Sequence, residues 1–233
     1  MLVKCWMSKP VIMIDKEDSM DDAIKLFKEK NIRRLPVVDQ KNLVGIVIDR
    51  DLRRASASDA TSLEIHELLY LISKIKIKDI MTQNPVTVSL NFSLEETSKL
   101  LLKNRISGVP VVDEKKNLMG VITQSDLFRV LTTLTGVDNI GIQFAFLIKD
   151  RPGSIKKITD IIRNYDGRLL SLLTSFEKAP EGFRNLYVRA YRIDRNRLPR
   201  LQEELKREAN MIYMLDHRIS ERSIHSNGSA FTK

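Results

Sequence analysis

The chain has 233 residues, 42% apolar and 30% charged, the make-up expected of a globular protein with room for two modest domains or three very small ones. Its 39 Lys and Arg against 30 Asp and Glu leave a formal charge of +9, and its single cysteine, Cys5, excludes an internal disulfide and a cysteine-built metal centre. No run approaches the roughly 18 uninterrupted apolar residues of a membrane span, and the three histidines, His66, His217 and His225, lack metal-ligand spacing; the expectation is a cytoplasmic protein.

The opening MLVKCWMSKPV is too short and too polar to read as a secretory leader. Cys5 reads as an ordinary thiol near a mobile terminus, and Trp6 as a packing anchor. VIMI is a first short strand. Ser19-x-x-Asp22 then opens a helix with a capping box, in which each side chain satisfies the other's free backbone N–H. LPVVD and LVGIVI follow as apolar strands around a polar turn, and RDLRRAS continues as a second helix.

This pattern recurs. SMDDAIKLFKEKNIRRLPVVD, from Ser19, lies over SLEETSKLLLKNRISGVPVVD, 74 positions later, with Ser93-x-x-Glu96 in the place of the first capping box. After one extra residue at a polar turn, KNLVGIVIDRDL lies over KNLMGVITQSDL. The sequence therefore predicts a β-α-β-β-α unit present twice, residues 1–55 and 79–134. The stretch between, 56–78, carries apolar residues at Leu63, Ile65, Leu68, Leu69, Leu71 and Ile72, at helical spacing, and predicts a connecting helix.

From Gly141 the pattern changes to strand, helix, two strands, helix and strand. Residues 141–219 thus predict a small α+β sandwich with two helices on one face of a four-stranded sheet. KDRPGS forms the first turn, with Pro152 and Gly153 constraining the backbone. Residues 220–233 are expected to be a flexible tail, and Leu131–Asn139 a movable joint. Residues 135–233 hold 18 Lys and Arg against 12 Asp and Glu. That excess suits nucleic acid or other anions, or simply a solvated basic face.

The doubled unit, with its P-V-V-D strand and its G-h-h-T-x-x-D turn (h, apolar), resembles a pair of CBS domains, the modules named after cystathionine β-synthase that together form a Bateman module. Residues 141–219, with KDRPGS after the first strand, look like an ACT domain. A CBS pair followed by an ACT domain, with CWMS and DIMT at the starts of the copies, is similar to the acetoin-utilisation AcuB-type proteins. The resemblance implies a tandem CBS pair of pseudo-two-fold symmetry, then a βαββαβ ferredoxin-like domain. It also implies a regulatory homodimer that is not an enzyme. No nucleophile elbow, P-loop or G-x-G-x-x-G appears in the chain.

The regulatory ligand so implied is an adenine nucleotide: AMP, ADP, ATP or S-adenosylmethionine. In the second copy Thr123 would donate to phosphate and Asp126 accept from ribose hydroxyls. Val86, Val109 and Pro110 would surround the base, with Ser107 and Ser125 beside them. Thr123-x-x-Asp126 is equally the sequence of a helix cap. In the first copy Ile48 replaces the threonine. Asp51 remains for ribose and Asp49 is free to cap the helix, while Arg33, Arg34 and Arg50 supply positive charge. Arg50 is expected to reach across to a polyphosphate in the second copy. Asp150, Arg151 and Gly153 would meet an amino acid at the ACT-like turn, or only turn the chain into a helix. A nucleic-acid-associated regulator using the basic C-terminal half, and a ligand-free dimeric scaffold, stand as the alternatives.

Overall fold

The computed structural model of the chain describes residues 1–58, 70, 72–139, 141–218 and 221–224. They divide into two compact units, Met1–Phe128 and Arg129–Lys233. The predicted connecting helix lies mostly outside the described residues. At its start the helix Asp49–Ser58 runs three positions past the predicted boundary, and at its end Ile77–Ile80 is one helical turn.

In the first unit both copies fold as the repeat predicts. Strands β1 (Ile14–Asp15), β2 (Arg34–Asp39) and β3 (Asn42–Ile48) pair β1 parallel to β2 and β2 antiparallel to β3. After β4 (Thr82–Gln83), strands β5 (Val88–Ser89), β6 (Gly108–Val112) and β7 (Leu118–Thr123) repeat that arrangement in the second copy. The helices Met20–Glu29 and Leu94–Asn104 each begin with a complete capping box, Ser19 with Asp22 and Ser93 with Glu96. Left-handed residues, Asn31 (φ 49°) and Arg105 (φ 53°), close both helices.

The copies also exchange their leading segments. β4 opens the second copy yet pairs with β3 of the first, through Gly45 and Ile46. Ser8, from the first copy, bridges to Val121 on β7 of the second. Each exchange covers a strand edge that one copy alone would leave unpaired. A methionine seals each crossing. Met81 packs on Gly45 and Met7 on Gly120, so closely that a Cβ on either glycine would lie 2.4 or 2.5 Å from sulfur. The N-terminus is accordingly anchored, not mobile. The amide N–H groups of Val3 and Lys4 donate to the Phe92 and Leu90 carbonyls, and the Val3 side chain is fully buried.

The second unit has the predicted order. Strands β8 (Ile142–Lys149), β9 (Arg168–Ser175), β10 (Phe183–Tyr191) and β11 (Asn210–Asp216) form one antiparallel sheet in the order β11-β8-β10-β9. The helices Ser154–Asn164 and Leu198–Glu208 bury Ile158, Ile162, Leu201 and Leu205 against Phe144, Phe146, Leu186 and Val188. The expected tail is corrected over part of its length. Glu221–Ile224 forms β12, antiparallel to Tyr213–Asp216, because the outer edge of β11 offers unpaired backbone groups that a short hairpin can reach. The expected joint at Leu131–Asn139 is tied down as well. The Ser171 hydroxyl donates to the Thr135 carbonyl at 3.1 Å, and Gly136 lies against Leu170 and Arg189. The division between units falls earlier, inside the helix Gln124–Thr135.

Candidate functional site

The second-copy turn is built where β6 begins and β7 ends. Gly108 and Thr123 are register partners there, and the Gln124 N–H donates to the Ser107 carbonyl at 3.0 Å. The helix Gln124–Thr135 starts at once, and its first turn carries Asp126, 3% exposed. One oxygen of Asp126 accepts from the Thr123 N–H at 2.9 Å and from the Thr123 hydroxyl at 2.7 Å. The Thr123 Oγ1 in turn accepts from the Asp126 N–H at 3.2 Å. Thr123 and Asp126 thus form a helix cap as well as the candidate polar site, and the cap fixes both side chains at the mouth of the turn.

The first copy keeps half of this device. The Asp51 carboxylate accepts from the Ile48 N–H at 2.9 Å, as Asp126 does from Thr123, but Ile48 returns nothing. Asp49, expected as the cap, instead pairs with Arg53 one turn along. The reason is geometric: the third residue of the turn, not the first, aims its carboxylate back at the strand-end amide.

A cation from the first copy reaches the second-copy turn, and it is Arg34. Its guanidinium donates to the Ser107 hydroxyl at 2.7 Å and lies so close over Gly108 that a Cβ there would be 1.9 Å from Nη1. Burial lowers the Arg34 pKa below the ordinary arginine value, and the nearby Asp126 charge pulls it back up. Arg50, expected to make this crossing, is exposed on the first turn of its helix. Arg34 starts β2 opposite Ile48, and from there its side chain extends to Ser107. The clue was in the sequence: Arg34 and Gly108 hold equivalent positions, a long side chain opposite an absent one.

The other expected contacts divide. Ser107 and Ser125 are exposed near Thr123 and Arg34. Val86 is 40% exposed, whereas Val109 is 1% exposed beside Ile122 in the core, and Pro110 is buried. Val86 is the apolar surface of the three that remains open.

In the second unit, the turn after β8 borders a cavity of about 420 Å³ lined by Asp150, Arg151, Pro152, Gly153, Ser154 and Arg184 among others. The Asp150 carboxylate is already paired with the Arg184 guanidinium. Gly153 holds φ 85°, in the left-handed region where glycine is unstrained, and opens the helix Ser154–Asn164 with no side-chain cap. Among the described residues no group of three His, Cys, Asp or Glu is placed to hold a metal. No helix among them is long and apolar enough to cross a membrane.

The model of the CBS domain matches residues 3–58 and 77–133, the two copies. A CBS domain-containing protein of Dictyostelium discoideum is 40% identical over 131 residues, which are 56% of this chain and 90% of that protein. The chain belongs to the CBS-domain proteins. The same pair is 33% identical over 120 residues to an inosine-5'-monophosphate dehydrogenase of Korarchaeum cryptofilum, where the shared stretch is 22% of the enzyme. A solved structure of a protein assigned to acetoin utilisation (AcuB) from Vibrio cholerae superposes with a TM-score of 0.51 at 27% identity, over 59% of this chain and 95% of that one.

Proposed function

We propose that the CBS pair is a sensor of an adenine nucleotide, bound in the second copy with its phosphates between the Thr123 hydroxyl and the Arg34 guanidinium. One observation carries this reading: Arg34, from the first copy, comes to within hydrogen-bond distance of Ser107, beside the Thr123–Asp126 turn of the second. A cation held partly buried against a glycine and a hydroxyl is arranged as a phosphate clamp, since charge-assisted bonds to phosphate are about twice as strong as neutral ones. Asp126 takes the ribose hydroxyls and Val86 one side of the base. The first copy, with Ile48 in the threonine position, is the weaker or empty site. A phosphate there touches both copies at once, so binding favours whichever arrangement of the pair closes on it.

The second unit is an ACT-like, ferredoxin-like module under this proposal, supported by its βαββαβ order and its β11-β8-β10-β9 arrangement. Leu172 and Leu173 are exposed on the edge strand β9 and suit pairing with a second copy of the chain. The cavity at Asp150–Gly153 suits an amino acid, its carboxylate toward Arg151 and the Gly153-led helix start. The Vibrio cholerae likeness supports a part in acetoin utilisation, and the cytoplasm is the place proposed for it.

Thermal unfolding tests the reading with AMP, ADP, ATP and S-adenosylmethionine. A nucleotide at 100 times its dissociation constant stabilises the folded state by about 2.7 kcal/mol. In Arg34→Ala, which leaves the helix cap whole, affinity drops about tenfold or more for the di- and triphosphates. Equal stabilisation of Arg34→Ala and the native protein, or none by any nucleotide, refutes it.

A further inference from the structure

The second unit holds another cavity, of about 310 Å³, away from the Asp150–Gly153 turn. It lies where β10 ends and β8 begins. Its floor is apolar, from Ile142, Ala190 and Ile193, and its polar wall holds three guanidinium-bearing residues, Arg192, Arg195 and Arg218.

The charges around it do not cancel. Arg195 pairs with the buried carboxylate of Asp216, which also accepts from the Arg218 backbone N–H at 3.0 Å. Arg192 and Arg218 have no acidic partner among the described residues; Arg192 only lies over the Tyr191 ring, 6.0 Å from its centroid. Burial lowers the Arg195 pKa, and the neighbouring Arg218 charge lowers it further, so the two cations repel each other across the cavity. Arg192 also holds φ 61°, a left-handed backbone unusual for a residue with a long side chain. The Arg192 and Arg218 side chains are exposed, so the cavity opens to solvent on their side.

We propose that this cavity is a binding site for a small organic phosphate. Three guanidinium groups and one carboxylate leave an excess of two positive charges, which matches a phosphate monoester near neutral pH. Guanidinium groups bind phosphate oxygens in pairs, and here they come from two chain segments, the stretch after β10 and the end of β11, so the anion sits between them and not on one flexible arm. The apolar floor takes a short carbon skeleton. The volume admits a molecule the size of a triose or pentose phosphate, and a phosphate ester bound here relieves the repulsion between Arg195 and Arg218. The site also gives a local role to the positive charge excess of residues 135–233.

The experiment is calorimetric titration of the full chain with glycerol 3-phosphate and with succinate, at fixed ionic strength. The native protein, Arg218→Ala, Arg192→Ala and Asp126→Ala are compared. Arg195 is left intact, because its loss would strand the buried Asp216. The expected result is saturable binding of glycerol 3-phosphate, weakened at least tenfold in both Arg218→Ala and Arg192→Ala and unchanged in Asp126→Ala. That last variant separates this site from the proposed nucleotide site, so either can fail without the other. Circular dichroism at the titration temperature confirms that each variant is folded. No binding to the native protein, binding indifferent to both arginine variants, or equal binding of succinate overturns the proposal.

Discussion

The two CBS copies share a framework and differ at one mouth. Capping boxes, left-handed helix ends, methionine-on-glycine seals and exchanged leading segments recur 74 or 75 positions apart. At the candidate ligand turn, however, Arg34 stands where the second copy has Gly108, and Ile48 where it has Thr123. The difference teaches that symmetry belongs to the packing, where each copy completes the other's sheet. The candidate site does not share it. The asymmetry is itself complementary, since the arginine of one copy fills the space that the missing side chain of the other leaves open.

The strongest way to break the comparison is in the cores. Phe27 and Leu101 occupy equivalent buried positions, 8% and 1% exposed. Phe27→Ala and Leu101→Ala are each expected to cost about 2–5 kcal/mol. Because the copies exchange strands, either change lowers one shared unfolding transition of the first unit. Urea denaturation followed by a probe in each copy checks this, and two separated transitions would show that the exchange does not couple them.

Next is the complementary pair. In Gly108→Ala the new methyl meets the Arg34 guanidinium and, at 2.9 Å, the Ile122 carbonyl. The expected cost is about 1–3 kcal/mol, with nucleotide response reduced as the guanidinium is displaced. Arg34→Ala in the same chain removes the side-chain clash and leaves the backbone one. A double-mutant cycle on thermal stability should therefore show coupling between the two positions, where independent sites would add.

A reciprocal exchange sharpens the functional half. Thr123→Ile deletes the bond from the Asp126 N–H and makes the second turn like the first; the expected loss is about 1 kcal/mol, with loss of nucleotide binding. Ile48→Thr gives Asp51 its missing partner and should raise nucleotide stoichiometry per chain above that of the native protein. Calorimetric titration counts the sites. Unchanged stoichiometry in Ile48→Thr would mean that the Arg34 guanidinium, turned from beside Ile48 toward Ser107 of the second copy, is the deciding group.

Much of this was legible in the sequence, and unevenly so. The doubled unit, both capping boxes and the βαββαβ order are local patterns, readable because a helix cap or an apolar strand involves neighbours in the chain. Thr123 and Asp126 were legible for the same reason. The exchange of leading segments was not, since a two-residue strand pairing across copies leaves no periodicity; its traces are the repeated Met7 and Met81 and the glycines beneath them. Nor could sequence choose Arg34 over Arg50, because reach from one copy to the other depends on where a side chain starts. The burial of Val109 was missed because a strand's two faces cannot be told apart when both are apolar. At the C-terminus, polarity suggested a tail where the open edge of β11 recruits Glu221–Ile224.

The smallest expected effect is on acid stability, and it separates the two units. Asp22 is held below the usual carboxylate pKa first by the Ser19 hydroxyl and then by the Ser19 N–H; Glu96 is lowered first by the Ser93 N–H and then by its hydroxyl. A carboxylate with a depressed folded pKa adds stability above its unfolded value, near 4, and loses it as pH falls toward the folded value. Ser19→Ala and Ser93→Ala should each shrink that acid loss, Ser19→Ala by more, because alanine removes the hydroxyl that leads at Asp22 but keeps the backbone N–H that leads at Glu96. In the second unit His217 is lowered by burial and by the positive charges of Arg189 and Arg222. A base with a depressed folded pKa binds fewer protons folded than unfolded, so its unit weakens as pH drops below about 6.5. Urea midpoints measured from pH 7.5 to 3 should show a shallow upper limb that His217→Gln removes and a lower limb that it leaves alone. If the serine variants moved the upper limb instead, the capping carboxylates would not be the groups that titrate the first unit.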